Sequence, residues 1–535
     1  MKYIKIFFCC FLLICIVMLS ACAKKSDDQP FGEEEIIKSS EPVAGGQLRI
    51  PAIGFSTLNP IINDNESIYH LSNLIYEGLV TLDQNGRPQP ALAKNWYVSD
   101  GTTLIFELRD DVVWHDGEAF SAEDVKFTID TLKLAGGLSI YKVYTNHIQN
   151  VQILDNYRVS INFDDPTYAA IEDFIFPIIP KHQFKDSKNV YEFKNITPIG
   201  TGSYKIQKYN EYKDIELVIN DYYWGKKPYI SSVLVKKLPD NEAALTTVEV
   251  NKVDVASAMD FDWEKYSENK DLKIYEYVTQ EYEFLGFNFR NTLLSDAKMR
   301  KVFAYTIDRH NLIDEVYLGH ATLVDVPISP SSYLYQEEQK RYGKDLVKAK
   351  KLLKELGWIK KDNDPYLENE SGQKIKISLL VNEENAQRVK SAESIASDLK
   401  EVGIEVSIHM VNFKEYERRI YTGQFDLLLG GWKLIENEDL SFLFHSKYIK
   451  STNFIQYANP NMDQILNEMT GIQDEALRRK KYEKFQKLFI EEIPYLSLYF
   501  KNSSIIVRGG VKGDILPTNS NIYNNIENWY IPQNK

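Results

Sequence analysis

Apolar and polar positions alternate most regularly in the C-terminal half of the chain. Ile375, Ile377 and Leu379 fall on one face of a strand, and a helical pattern follows from about Ala386 to Val402, with Gly403 as its stop. Ile404, Val406, Ile408 and Met410 then alternate with Glu405, Ser407 and His409, a second strand at the distance a right-handed βαβ unit requires. Another helix around Tyr416 to Tyr421 ends at Gly423. The short apolar run Phe425 to Leu429 suits a strand buried on both faces, terminating in Gly430-Gly431-Trp432. The stretch therefore predicts a βαβαβ unit. Earlier, Thr103 to Leu108 reads as a strand, Asp116-Gly117 as a turn, and Ser121-Ala122-Glu123-Asp124 as a capping box. That box opens a helix with Val125, Thr128, Ile129 and Leu132 on one face. The chain is mixed α and β.

In open parallel sheets ligands collect beyond the carboxyl ends of strands, which places Gly430-Gly431-Trp432 where a crevice is expected. Two glycines allow close backbone approach and Trp432 offers a stacking face. The same residues also suit a tight turn with the indole plugging the sheet end. The acidic run Glu436-Asn437-Glu438-Asp439 follows at once, readable as a solvated loop or as a recogniser of an amine or cation.

The N-terminus has a different pattern. Lys2 and Lys5 precede an apolar stretch, Ile6 to Leu19, too short to span a membrane as a mature helix, and Leu19-Ser20-Ala21-Cys22 follows. This is the layout of an export signal (1–21), and the run resembles a bacterial lipobox in which Cys22 becomes the lipidated first residue. An ordinary signal peptide or an uncleaved anchor is the other reading. All four cysteines lie in the first twenty-two residues, so a mature body would hold no disulfide, zinc-thiolate site or cysteine nucleophile. Residues 22–44 are polar and charged, as in a flexible tether. At 535 residues and 44% hydrophobic composition, the remainder can bury large cores without covalent staples.

A net charge of -13 argues against a phosphate backbone as partner, so no nucleic acid is expected. The 34 tyrosines and 7 tryptophans can line a wet cleft as well as pack cores. His-Glu-x-x-His, Gly-x-Ser-x-Gly, Gly-x-x-x-x-Gly-Lys and Cys-x-x-Cys are all missing from the sequence, and its eight histidines are scattered. No catalytic residue, metal site or cofactor is expected. A hidden carboxylate pair keeps a secreted hydrolase as the remote alternative.

Several separated motifs resemble the extracytoplasmic solute-binding proteins of peptide and nickel ABC importers, known as solute-binding protein family 5. They include Gly45-Gly46-Gln47-Leu48, Leu58-Asn59-Pro60, Ile75-Tyr76-Glu77-Gly78-Leu79, Trp114-His115-Asp116-Gly117 and Gly200-Thr201-Gly202-Ser203-Tyr204. Asp221-Tyr222-Tyr223-Trp224-Gly225, Ile307-Asp308-Arg309, Gly430-Gly431-Trp432 and Pro494-Tyr495-Leu496 follow in order. Most of these are expected to be fold determinants; Asp308-Arg309, for example, should end a helix with an ion pair.

The resemblance implies an α/β, periplasmic-binding-protein-like, two-lobed clamshell of class II and the large peptide-binding type, with an extra α+β domain inserted in the first lobe. Carried over, lobe I is 45–78 plus 198–290 plus 495–535, the inserted domain is 79–197, and lobe II is 291–494, with hinges near Phe289 and Pro494. It implies a monomer that captures oligopeptides and hands them to ABC transporter permease subunits and their ATPases. The protein would be held by its N-terminal lipid at the extracytoplasmic face of the cell membrane. A metal chelate, a saccharide or a signalling peptide remains the alternative ligand. In the family's peptide binders a carboxylate shortly after the Gly-Trp pair holds the peptide's α-amino group. Here Ile435 stands at the third residue after Trp432, and Glu436 comes next. The ligand-binding residues expected are thus Trp432, Gly430, Gly431 and Glu436, joined by Asn65 and Glu66 from the first lobe and Tyr141 from the inserted domain.

Overall fold

The computed structural model describes residues 41–533, apart from 165–169, 194–195, 210–213, 259–262, 338–341, 362–363, 470 and 473. The N-terminal apolar stretch, Cys22 and most of the expected tether lie outside the described residues.

Two long antiparallel strands, Leu272–Phe287 and Tyr495–Arg508, organise the body. They belong to a seven-stranded mixed sheet in the order Val255–Ala258, Tyr495–Arg508, Leu272–Phe287, Leu427–Lys433, Lys376–Asn382 and Glu405–Val411, with Ala321–Leu323 also on Tyr495–Arg508. Their pairing is interrupted between Val278 and Tyr282, opposite Asn502 and Phe500, and there Thr279 Oγ1 donates to the Lys501 carbonyl at 2.8 Å. Before the interruption Leu272 and Ile506 pack in one apolar core and Ile505 and Val507 in another. After it, Leu285, Phe287, Leu496 and Leu498 enter a third core, and Tyr282, Phe284, Tyr495 and Phe500 a fourth. The two strands therefore carry the chain from one pair of cores to the other. Phe289 and Ile493, beside the expected hinges, lie within the second pair.

The first side also holds a four-stranded sheet, with Gln47–Ile53 parallel to Ser232–Leu238, followed by Asp214–Ile219 and Tyr204–Tyr209. A second, antiparallel sheet comes from within 79–197, in the order Ala93–Val98, Thr103–Leu108, Arg158–Phe163, Ile148–Asp155. Against it packs the helix Ala122–Leu134, opened by the expected capping box between Ser121 and Asp124, with Val125, Thr128, Ile129 and Leu132 all buried. One continuous apolar core joins the two sheets. The outcome is the two-lobed α/β architecture expected, with an additional α+β layer in the first lobe.

The βαβαβ unit forms as the pattern indicated. Lys376–Asn382 pairs parallel with Glu405–Val411 and with Leu427–Lys433, and the helix between the first two strands is Ala386–Glu401. Its start is capped by Asn385, whose side chain accepts the Arg388 N–H, and its end by Gly403 at φ +82°, a left-handed conformation that glycine adopts without steric cost. Met410 is 53% exposed because Glu405–Val411 forms the sheet edge. Two expectations change. The last strand does not terminate at Gly430; it continues through Gly431 and Trp432 to Lys433, because the long strand opposite keeps pairing with it. Asp308 lies between two helices and caps the second, Arg309–Tyr317, while Arg309 pairs with buried Asp325 at 2.7 Å.

Candidate ligand cleft

Beyond Lys433 the chain leaves the sheet in the loop 434–440, anchored at once by the Leu434 N–H donating to the Gln280 carbonyl at 2.9 Å. Alternate residues of this loop face two cavities. Glu436 and Glu438 line one of about 540 Å³; Ile435, Asn437 and Asp439 line another of about 360 Å³. The larger one is also walled by Asp83, Glu276, Tyr277, Ser332 and Asn519, residues from four further stretches of chain. It shares Leu82, Asp83, Gln84, Leu516 and Ser520 with a third cavity of about 670 Å³. These volumes are in the range of small-molecule and peptide sites.

Segments far apart in sequence are bonded across this region. The Tyr144 hydroxyl donates to Glu436 at 2.7 Å, the Asn437 amide donates to Asp173 at 2.8 Å, and the Tyr333 N–H donates to the Asn85 carbonyl at 2.8 Å. Arg87 pairs with Glu475 at 3.2 Å. Arg478, on the helix Glu475–Glu492, pairs with Glu172, which is 1% exposed, and also reaches the Tyr333 hydroxyl and the Asn437 carbonyl. Stretches 79–197 and 291–494 are thus bonded to each other beside the 540 and 360 Å³ cavities, which both stretches line.

Burial sets the electrostatics here. It pushes the Asp173 carboxyl well above the usual carboxylate range, against the pull of the Asn437 amide. It lifts Glu438 to about 8, with the Ser332 hydroxyl and the Arg478 charge opposing. Glu77, lining the 670 Å³ cavity, is raised to about 7 despite hydrogen bonds from Trp224, Thr201 and Tyr223. Acids this buried hold protons near neutral pH.

The expected site residues separate into three places. Glu436 and Tyr141 come together: Tyr141 is 5% exposed, stacks on Tyr69 with ring centroids 6.2 Å apart, and lies 6.5 Å from Tyr144. Burial and the Glu436 charge push the phenols of Tyr69, Tyr141 and Tyr144 upward. Trp432 lines the 360 Å³ cavity while its ring stacks on Phe454 at 5.9 Å and meets Phe442 edge-on at 5.5 Å, so it is both wall and packing element. Asn65 and Glu66 line a separate cavity of about 200 Å³, yet Tyr69 feels the charges of both Glu66 and Glu436, and Glu66 that of Lys433. Asn65 caps the helix Glu66–Ile75, and the neighbouring His70 holds the Glu66 carboxyl below its ordinary value.

Gly430 and Gly431 stand inside the sheet, opposite Phe284 and Glu283. A Cβ on Gly430 would come within 3.0 Å of Leu428 and Phe284, and one on Gly431 within 2.5 Å of both Arg388 and Glu283. The close approach these glycines permit is to neighbouring side chains, including the buried Glu283–Arg388 pair at 2.8 Å. Sequence reading missed Tyr69, Tyr144, Glu172, Asp173 and Arg478, and included Glu438 only within the acidic run 436–439. Tyr144 had a signal: it lies three residues after Tyr141 on a 3₁₀ helix, Ile140–Thr145, where such side chains eclipse. The acidic pair Glu172-Asp173 inside an apolar run was another.

The model for bacterial extracellular solute-binding proteins, family 5, matches residues 87–453. The chain is 26% identical over 538 residues to the oligopeptide-binding protein AppA of Bacillus subtilis (strain 168), covering 97% of each. It is 25% identical to the nickel-binding periplasmic protein of Escherichia coli (strain K12), covering 85% of this chain and 88% of that one. Its fold is similar to the structure of the Bacillus subtilis AppA in complex with a nonapeptide, with TM-score 0.62, 25% identity, and 92% and 100% of the two chains covered. A match across most of the body, on a two-lobed fold closed around a cleft, means that the chain belongs to family 5 of the bacterial extracellular solute-binding proteins.

Proposed function

We propose that this chain captures oligopeptides outside the cell and delivers them to the permease of an ABC importer, anchored to the membrane by lipid on Cys22. The observation that carries the reading is the pair of cavities of about 540 and 360 Å³ lined by both 79–197 and 291–494, the first of them contiguous with a 670 Å³ cavity lined by 69–91, 223–226 and 516–527. Adjoining compartments of this kind suit an extended peptide, whose backbone supplies affinity while its side chains occupy separate compartments. Similarity to an oligopeptide-binding relative over nearly the whole chain supports the same ligand class. A metal chelate is the second reading, favoured by the nickel-binding relative and by Ile435 facing away from the compartment that holds Glu436.

The lobes of this proposal follow 45–78, 198–290 and 495–535 against 291–494, with 79–197 inserted. The hinge moves, however, from Phe289 and Pro494 to the break in strand pairing at Val278–Tyr282 and Phe500–Asn502, because 282–287 and 495–500 pack in the cores of 291–494 and would travel with them. Closure is a rigid rotation about those two points that buries the ligand. Tyr144, Glu172 and Asp173 then bond the loop 434–440 and Arg478.

Two measurements test the proposal. Cells lacking the protein should lose uptake of labelled oligopeptides and regain it with the wild-type chain; unchanged peptide uptake with lost nickel uptake would select the second reading. Cys22→Ser should release the protein from membranes with its ligand affinity intact. Retention of Cys22→Ser at the membrane would refute the lipid anchor.

A further inference from the structure

The 540 Å³ compartment is electrostatically one-sided. Among the described residues lining it, the charged ones are Asp83, Glu276, Glu436 and Glu438, and none is a lysine, arginine or histidine. Three of these carboxylates are engaged. Asp83 accepts the N–H groups of Asn85 and Arg87, Glu276 accepts the Asn502 amide and faces His320 at 3.5 Å, and Glu436 accepts the Tyr144 hydroxyl.

Glu438 differs. It is 6% exposed, and although the Ser332 hydroxyl acts on its carboxyl, its Oε2 has no hydrogen-bond partner in the structure. The cation acting on it, Arg478, is already bonded to Glu172, the Tyr333 hydroxyl and the Asn437 carbonyl. Glu172 itself keeps one unpartnered oxygen, so this one guanidinium leaves two buried carboxylates incompletely satisfied. Glu438 is moreover fixed in the left-handed region at φ +53°, which bulky L residues seldom adopt, with its carbonyl held by the Tyr482 hydroxyl at 3.0 Å. With no cation beside Oε2 this buried carboxyl holds a proton near neutral pH, and a charged donor arriving from outside takes the proton's place on that oxygen.

We infer that this compartment receives a positively charged side chain of the bound peptide, a lysine or an arginine, and that Glu438 is the residue that selects it. The inference rests on the peptide reading above and narrows it to basic oligopeptides. An N-terminal amine brings one positive charge, and Glu436 faces the same compartment two residues before Glu438. A second carboxylate there calls for a second cation, which only a basic side chain supplies. Glu438 is accordingly a specificity determinant, and peptides with neutral residues in its register leave its Oε2 unpaired.

The test uses the protein stripped of copurifying ligand and a panel of pentapeptides with lysine at each position in turn, each paired with its norleucine isostere. Both are made with free and with acetylated N-termini, and affinities are measured by calorimetry. In at least one register lysine should bind about tenfold or more tighter than norleucine, whether or not the N-terminus is acetylated. In Glu438→Gln that lysine-to-norleucine ratio should fall toward one. Should Glu438→Gln fail to fold, the native panel decides alone. Peptide binding with no lysine preference in any register overturns the inference and leaves the peptide reading standing. So does a preference that acetylation abolishes, or one that survives Glu438→Gln. Calcium or nickel chloride binding alone, lost in Glu438→Gln, also overturns it. Absence of binding by every peptide refutes the peptide reading itself.

Discussion

Replacing Gly431 by alanine tests whether the Gly-Gly pair serves the sheet or the ligand. Gly431 has an ordinary strand conformation, so alanine brings no backbone strain; its cost comes from what the methyl strikes. The new Cβ would stand 2.5 Å from Arg388 Nη2 and 2.5 Å from Glu283 Oε1, where ordinary contact needs 3.4–4 Å. Those two atoms form one of the two bonds of the pair, 2.9 Å long; the other, from Nε to Oε2, is 2.8 Å. Both partners are buried, with side chains 15% and 4% exposed. Moving them apart by about 1 Å breaks the Nη2 bond, and a hydrogen bond to a charged group is worth about 1.5–3 kcal/mol. Severing a buried pair outright costs about 3–5 kcal/mol. Lys501, 3.6 Å from Glu283, retains part of the charge compensation. The expected loss is therefore about 2–4 kcal/mol. It is read by urea denaturation of ligand-free protein, followed by tryptophan fluorescence. In a Glu283→Gln, Arg388→Met background the same substitution should cost less than about 1 kcal/mol, the signature of a shared interaction. An equal penalty in both backgrounds would refute the reasoning. Unchanged stability with lost ligand affinity would instead place Gly431 against the ligand.

Arg478→Met should weaken ligand binding by about 2–4 kcal/mol, because closure would then bury Glu172 without its cation; calorimetry with the wild-type ligand checks this, and unchanged affinity would separate the pair from closure. Trp432→Ala should lose about 1–3 kcal/mol of affinity and also lower the melting temperature, since the ring packs on Phe454 and Phe442 as well as lining a cavity. A loss confined to stability would make it packing alone. Stability should fall as pH rises. Glu77 and Glu438 are raised to about 7 and about 8, above an unfolded value near about 4.3, so their contribution is complete below that value and lost as pH climbs through 7 and 8. The melting temperature at pH 5.5 should exceed that at pH 8.5, and Glu438→Gln should flatten the slope.

What the sequence made legible was local. The helix Ala386–Glu401 announced itself through its own periodicity and Gly403, and the capping box at Ser121 through residues three apart. The fate of Gly430-Gly431-Trp432 depended on how far Leu272–Phe287 extends opposite them, which no local pattern contains. Glu436 was found because it follows a motif, and Tyr141 through a resemblance. Glu172 and Arg478, 306 residues apart, meet only in the folded chain, so neither carries a mark of its partner. Asn65 shows how a local pattern can carry two meanings: a polar residue at that distance after Asn59-Pro60 is also what a helix start requires, and its side chain caps Glu66–Ile75 while lining a small cavity.

The most direct measurement is mass spectrometry of the small molecules released by mild denaturation from protein purified in its folded form. A ladder of short peptides, enriched in lysine and arginine, is the expected result. A single non-peptide species, metal-bearing or saccharide, would contradict the account.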